Sequence, residues 1–164
     1  AQGFGLDIDW GDYPFVTSSH CLTSSVLLNA IPHYAIRDVW GVAKAYETYV
    51  GAKKFQPPHN RVFQHIQEAG QEFGATTGRV RQCNWVDLPF LKKSVQLNAV
   101  NKIVFNKIDI LRQVGHWNLK NNDGKSDYYE YYSTEEEFTE RIEEFLSDAV
   151  KDLQFYFSDS PHKI

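Results

Sequence analysis

Between Thr134 and Ala149 the apolar positions recur with the period of a helix. Phe138, Ile142, Phe145, Leu146 and Ala149 share one face, and glutamates fill the other. Thr134 stands three residues before Glu137, the spacing of a capping box, so the pattern predicts where that helix begins. The glutamates crowd its amino end, where the helix dipole favours negative charge. A second helical pattern runs from Asp87 to Ala99, with Leu88, Leu91 and Val95 on one face. A short apolar run follows each helix, Lys102 to Asn106 and Leu153 to Phe157, and Val39 to Tyr46 reads as a further buried strand. Strands alternating with helices predict an α/β fold, a mostly parallel sheet with flanking helices. Ligands of such sheets bind beyond the carboxyl ends of the strands, which points to the segments after Tyr46, Asn106 and Phe157.

The connections are rich in Gly, Pro and Asn, notably Gly51 to Asn60 and Asn118 to Lys125. Asn122-Asp123-Gly124 predicts a turn between two strands, the second being Tyr128 to Tyr132, whose four tyrosines read as a sheet edge packing on the core. No internal repeat or linker divides the chain, so residues 1–164 read as one unit. Composition agrees with a soluble globular protein: 164 residues, 42% apolar and 23% charged. No apolar run is long enough to span a bilayer. The net charge of −4 disfavours a general nucleic-acid coat, and two cysteines are too few for a disulfide framework. The chain holds no methionine, even at position 1, so either its start has been removed or it is a piece of something longer.

Charge distribution narrows the picture. Residues 51–82 carry Lys53, Lys54, Arg61, Arg79 and Arg81 against Glu68 and Glu72, a compact basic stretch in an acidic protein. Such a stretch suits a small anionic ligand, although a solvated face explains the same counts. Within it, Gly74-Ala75-Thr76-Thr77-Gly78-Arg79-Val80-Arg81 is the most informative segment. Glycines let successive amides turn toward one anion, two threonines add donors, and in an extended chain Arg79 and Arg81 share a side. Two guanidiniums so placed can clamp a polyanion. An ordinary loop that happens to hold two arginines is the alternative.

Asn106-Lys107-Ile108-Asp109 follows a predicted strand. A carboxylate there can accept from the adjacent N1–H and 2-amino donors of guanine, which adenine lacks. A strand-end aspartate that merely caps a turn is the simpler account. Ala1 to Gly5, followed by Tyr13-Pro14-Phe15-Val16-Thr17-Ser18-Ser19, can form a phosphate-holding helix N-terminus, and a plain cap at Ser18 or Ser19 explains the hydroxyls as well. His59 and His65 have no partners at zinc-ligand spacing, and no nucleophile–histidine arrangement or phosphate-binding GxxxxGK loop can be read.

Taken together these segments resemble the C-terminal half of adenylosuccinate synthetase. The matching stretches are AQGFGLDID, YPFVTSS, KAYETYVGA, EFGATTGRVR, VQLN and NKIDIL, in the family's order, across residues 1–111. The resemblance implies the family's P-loop NTPase-like fold, of which residues 1–164 would be the C-terminal portion of a single domain. It implies an enzyme of purine biosynthesis that joins L-aspartate to the 6-position of IMP with hydrolysis of GTP and Mg²⁺ as cofactor. Carried over position by position, Gln2, Thr17, Val50, Gly51 and Arg79 would meet IMP. Ala75, Thr76, Thr77, Gly78, Arg79 and Arg81 would form the loop that captures aspartate. Arg81, Lys107, Ile108, Asp109, Ser158, Asp159 and Ser160 would meet GTP.

The family's catalytic Asp and His, its Gly-rich phosphate loop and its Mg²⁺ ligands lie upstream of this segment, so catalytic and metal-binding residues are expected outside the chain. The expected partners are the N-terminal half of the same enzyme and a second copy in a homodimer, without nucleic acid or membrane, in the cytoplasm. This sequence also departs from the family pattern. Val80 replaces a third arginine, Tyr49 an arginine, and Ser158-Asp159-Ser160-Pro161 stands for Ser-Thr-Gly-Pro. The region between Asp109 and Thr134 is shorter than usual, as in a compact variant. Two alternatives stay open: a related ligase acting on (d)GMP, with ATP as energy donor, and a nucleotide-binding module without catalysis.

Overall fold

The computed structural model describes residues 3–74 and 78–160. Its centre is a three-stranded parallel sheet formed by β1 (Trp40–Lys44), β5 (Lys102–Asn106) and β8 (Gln154–Phe157), in the order β1-β5-β8. Lys44 pairs with Asn106 and Phe105 with Phe157, so the three carboxyl ends lie together. Ile103, Val104 and Phe105 are buried in succession, as a strand covered on both faces requires.

Val39–Tyr46 was expected to be one buried strand, and here the structure differs. The strand stops at Lys44, and β1 is an edge, with Val42 71% exposed. A short strand, β2 (Glu47–Tyr49), follows and pairs antiparallel with β3 (Gln82–Asn84). A third sheet joins β4 (Val86–Asp87), β6 (Trp117–Asn122) and β7 (Asp127–Tyr132), parallel between β4 and β6 and antiparallel between β6 and β7.

Five α-helices accompany these strands among the described residues. The first, α1 (Ser24–Leu27), is a single turn. The next, α2 (Arg61–Ala69), is capped by the Asn60 side chain and buries Phe63 and Ile66; its apolar spacing is helical, but it is too short to stand out in the sequence. In α3 (Leu88–Leu97) the Asp87 carboxylate accepts the Phe90 N–H at 2.9 Å, with Pro89 in the first turn. The seven-residue α4 (Ile108–Val114) is bracketed by Lys107 and Gly115, both left-handed. Finally, α5 (Glu135–Leu146) begins as its capping box predicts: Thr134 Oγ1 accepts the Glu137 N–H at 3.2 Å, and the Glu137 carboxylate reaches back to the Ser133 N–H at 2.9 Å.

One apolar cluster links all three sheets. Phe105 stacks on Phe157, Phe63 tilts against Trp85, and Trp117 packs on Phe138. The connection expected over Asn118–Lys125 is largely strand. Asn118 and Asn121 are buried within β6, where Asn121 donates to Glu130 at 2.6 Å, and the turn occupies only Asp123–Ser126. Of the four tyrosines in β7, only Tyr132 packs on the core, while Tyr128, Tyr129 and Tyr131 are exposed, so that edge is wetter than its composition suggested.

Candidate functional site

A parallel strand aims its last carbonyl and the loop that follows toward ligand space, and here three strands do so side by side. β1 ends at Lys44 and is followed by Ala45, whose N–H donates to the Asn106 carbonyl at 2.8 Å. After β5 the chain turns through Lys107, held left-handed at φ 68°, into α4. After β8 the Ser158 N–H donates to the Phe105 carbonyl at 2.7 Å, and its hydroxyl donates to the Ser160 carbonyl at 2.8 Å.

The Gly74–Arg81 loop meets this end of the sheet through a buried carboxylate that sequence reasoning passed over. Glu72 is 1% exposed and accepts Lys44 Nζ on both oxygens at 2.8 Å, the Tyr46 hydroxyl at 2.7 Å and one Arg81 guanidinium nitrogen at 3.1 Å. Burial works to raise the Glu72 pKa, but the bonds from Lys44 and Tyr46 outweigh it and hold the carboxyl below its ordinary value. Burial lowers the Lys44 pKa despite that partner, and burial followed by the Glu72 contact raises the Tyr46 phenol. Burial, then the Glu72 charge, pushes the Cys83 thiol up to about 12, so it is protonated and inert at neutral pH. Lys107 Nζ donates to the Gly70 carbonyl at 3.1 Å, tying the turn after β5 to the segment leading into the loop. Gly70 is required there: a Cβ would come within 2.3 Å of the Tyr46 oxygen and 2.8 Å of the Ile66 carbonyl. The signal for this network was present in the sequence, an acid two residues before the Gly-rich loop and a lysine at a strand end, but their pairing is a tertiary contact.

The loop is gathered at its base. Phe73 bridges Val80, the Arg81 N–H donates to the Glu72 carbonyl at 2.9 Å, and the Gly74 N–H donates to the Arg79 carbonyl at 2.8 Å. Gly78 has φ 62°, a left-handed value suited to glycine. The two arginines occupy different settings: Arg81 is half-buried on Glu72, whereas Arg79 is exposed. Ala75, Thr76 and Thr77 lie outside the described residues, as does Gln2.

The other expected site residues divide. Asp109 sits in the first turn of α4, half-buried, and Lys107 precedes it. The Ile108 side chain is buried in the apolar cluster, so only its backbone is free to meet a ligand. Asn106 Oδ1 is buried and, among the described residues, has no donor, an open acceptor at the end of the central strand. Asp159 is exposed, 3.8 Å from Arg112, which binds Glu135 through two bonds of 2.8 Å. Val50 and Gly51 are exposed just past β2. Thr17 shares a 2.9 Å hydrogen bond with Ser19 and accepts the Ser19 N–H. No helix begins at Ser18 or Ser19, so neither the phosphate-holding helix terminus nor the plain cap forms there. The hydroxyls bond to one another in a turn instead, and α1 starts later, after Thr23.

A divalent cation does not fit the Glu72 centre, because two cations and a phenol already occupy its carboxylate. Elsewhere Asp7, Asp9 and His20 come together, but both Asp7 oxygens accept backbone N–H groups, from Asp9, Trp10 and Cys21. What the arrangement can do is receive an anion: Arg81 is held on a buried carboxylate that it shares with Lys44, Lys107 is tied to the segment leading into the loop, and Arg79 is exposed.

Comparison with known proteins gives a consistent picture. A family model described as Adenylosuccinate synthetase matches residues 1–146. The chain is similar to the adenylosuccinate synthetase of Yarrowia lipolytica, 45% identical over 116 residues that cover 70% of this chain and 27% of the relative. It is similar to that of Nitrosospira multiformis, 44% identical over 113 residues, 68% of this chain and 26% of the relative. The solved structure of fully ligated adenylosuccinate synthetase from Plasmodium falciparum superposes with TM-score 0.83 and 27% identity, over 98% of this chain and 47% of that one. Cyanophage S-2L succinoaminodeoxyadenylate synthetase, bound to dGMP and dATP as an energy donor, shares the fold at TM-score 0.63 and 15% identity, over 98% of this chain and 42% of that one. The chain thus spans about a quarter of the length of the curated relatives it matches.

Proposed function

The chain belongs to the adenylosuccinate synthetase family, and from that premise we propose that it supplies the substrate-orienting part of a C–N ligase of purine biosynthesis. The reaction joins L-aspartate to the 6-position of IMP. A phosphoryl group from GTP on the purine 6-oxygen turns that oxygen into a leaving group. The aspartate amine then forms the C6–N bond as the C6–O bond breaks, phosphate departs and the nitrogen loses a proton.

One observation carries this reading. The Gly74–Arg81 loop and the Lys107–Asp109 turn lie at the same end of the parallel sheet, joined through Gly70 and Glu72. Thr77, Arg79 and Arg81, with Ala75, Thr76 and Gly78, serve the aspartate carboxylates, and Arg81 also faces the transferring phosphate. Guanidiniums held in place before the charge arrives cost little reorganisation when it does. Lys107 and Asp109 frame the guanine of GTP, the Ile108 backbone and Ser158 to Ser160 close the pocket, and Gln2, Thr17, Val50, Gly51 and Arg79 meet IMP. Mg²⁺ serves the phosphoryl transfer from ligands outside the described residues. The working enzyme is a cytoplasmic homodimer that includes the catalytic half of the family's fold. Among the described residues no helix is long and apolar enough to cross a membrane.

Asp159 and Ser160, where the family pattern has Thr and Gly beside the base, favour testing a second reading with (d)GMP as acceptor and ATP as donor. Steady-state rates of the assembled enzyme with IMP and dGMP, each with GTP and ATP, separate the two. Fastest turnover with IMP and GTP is expected. Preference for dGMP overturns the assignment of IMP, and phosphate release with neither acceptor overturns the ligase.

A further inference from the structure

Arg81 is gripped by Glu72 twice. Its backbone N–H donates to the Glu72 carbonyl at 2.9 Å, and its guanidinium meets the carboxylate at 3.1 Å. The two residues stand on either side of the loop, next to the Phe73–Val80 bridge, so one acid fixes both the loop's base and the direction of its cation. We propose that Glu72 is a positioning residue for the ligand-binding loop, ordering the Arg81 guanidinium toward the space that an anionic ligand enters.

The charge balance around Glu72 suits that role better than a simple structural ion pair. One carboxylate faces two cations, Lys44 and Arg81, so the cluster keeps a surplus positive charge. Lys44 is fully engaged, by both Glu72 oxygens and by Thr48 Oγ1 at 3.1 Å. The surplus therefore rests on Arg81, which is about one-third exposed and uses a single nitrogen on Glu72. Its other donors remain available to a carboxylate or phosphate in a fixed direction, which is how a guanidinium binds such groups in a forked pair. The Tyr46 hydroxyl donates to Glu72 Oε1, the oxygen that Arg81 does not use. Glu72 thus acts through Arg81 and need not touch the ligand.

The inference rests on the proposed role of the loop, and two measurements keep the two claims apart. In the assembled enzyme, the Arg81 Nη1–H resonance should be sharp and slow to exchange, and Glu72→Gln should broaden it or abolish it. In the assembled enzyme, Glu72→Gln should raise the aspartate KM about tenfold, more than it lowers kcat, and add less than about twofold on top of Arg81→Leu. Glu72→Asp, which keeps the charge, should restore part of the loss and stands in if the Gln variant does not fold. Tyr46→Phe touches the same carboxylate but not Arg81, and should lower the melting temperature while leaving the aspartate KM within about twofold. Multiplying effects in the double variant, or a KM shift in Tyr46→Phe equal to that of Glu72→Gln, would overturn the positioning role. Arg81→Leu without kinetic consequence overturns the loop's assigned function instead, and the Arg81 resonance still decides whether Glu72 orders the side chain.

Discussion

The Tyr46 hydroxyl donates to the Glu72 carboxylate at 2.7 Å, and both side chains are shut off from solvent. A hydrogen bond to a buried charged acceptor contributes more than a neutral one, so Tyr46→Phe should cost about 1.5–3 kcal/mol. Urea denaturation, read as a shift in midpoint at constant slope, checks it. A cost below about 0.5 kcal/mol would mean that water replaces the phenol.

Glu47 opens β2, its Oε1 accepting the N–H of Asp87 in β4 at 3.2 Å. Burial is the main cause that lifts its pKa to about 7; the Asp87 N–H bond opposes this, the Asp87 charge adds to it, and Lys120 and Lys53 offset it only in part. The folded carboxyl therefore holds a proton that the unfolded chain has released. Its stability is complete below the unfolded value near 4.5 and is lost as pH rises through 7. The full loss is about 3 kcal/mol. Glu47→Gln should flatten this dependence and stabilise the chain more at pH 8 than at pH 5, measured by melting at both.

Arg79 is exposed in the loop, and the proposed clamp puts it on the incoming carboxylate. Arg79→Leu should raise the aspartate KM or lower turnover at least tenfold, about 1.4 kcal/mol. Unchanged kinetics in the assembled enzyme would remove the clamp.

Asp109 in the first turn of α4 sets the base preference if it accepts from guanine. Asp109→Asn gives up one of the two acceptor positions, so the GTP-to-ATP ratio of kcat/KM should fall by roughly tenfold or more. An undiminished ratio would move base recognition elsewhere.

What could be read in the sequence was what is local. The capping box at Thr134, the apolar face of α5 and the buried run of β5 depend on neighbours a few residues away, and each formed as expected. Asn118 and Asn121 read as turn residues because their burial is settled by pairing with β7, where Asn121 also donates to Glu130. The Gly-rich loop and the Lys107–Asp109 turn were visible as motifs. Glu72 was not, because Lys44, Tyr46 and Arg81 reach it from 28, 26 and 9 residues away. A glutamate without its partners looks like any solvated acid.

The outer edge of β1 carries a consequence for how the chain behaves in a tube. Among the described residues no strand pairs there, Trp40 and Val42 face outward, and the edge has neither a proline nor an outward acid to repel a newcomer. Its one lysine, Lys44, is drawn inward to Glu72. A row of open amide and carbonyl groups flanked by apolar side chains is a template for another strand. Handled by itself at high concentration, the chain should self-associate through this edge, and a charged residue at Val42 should keep it dispersed.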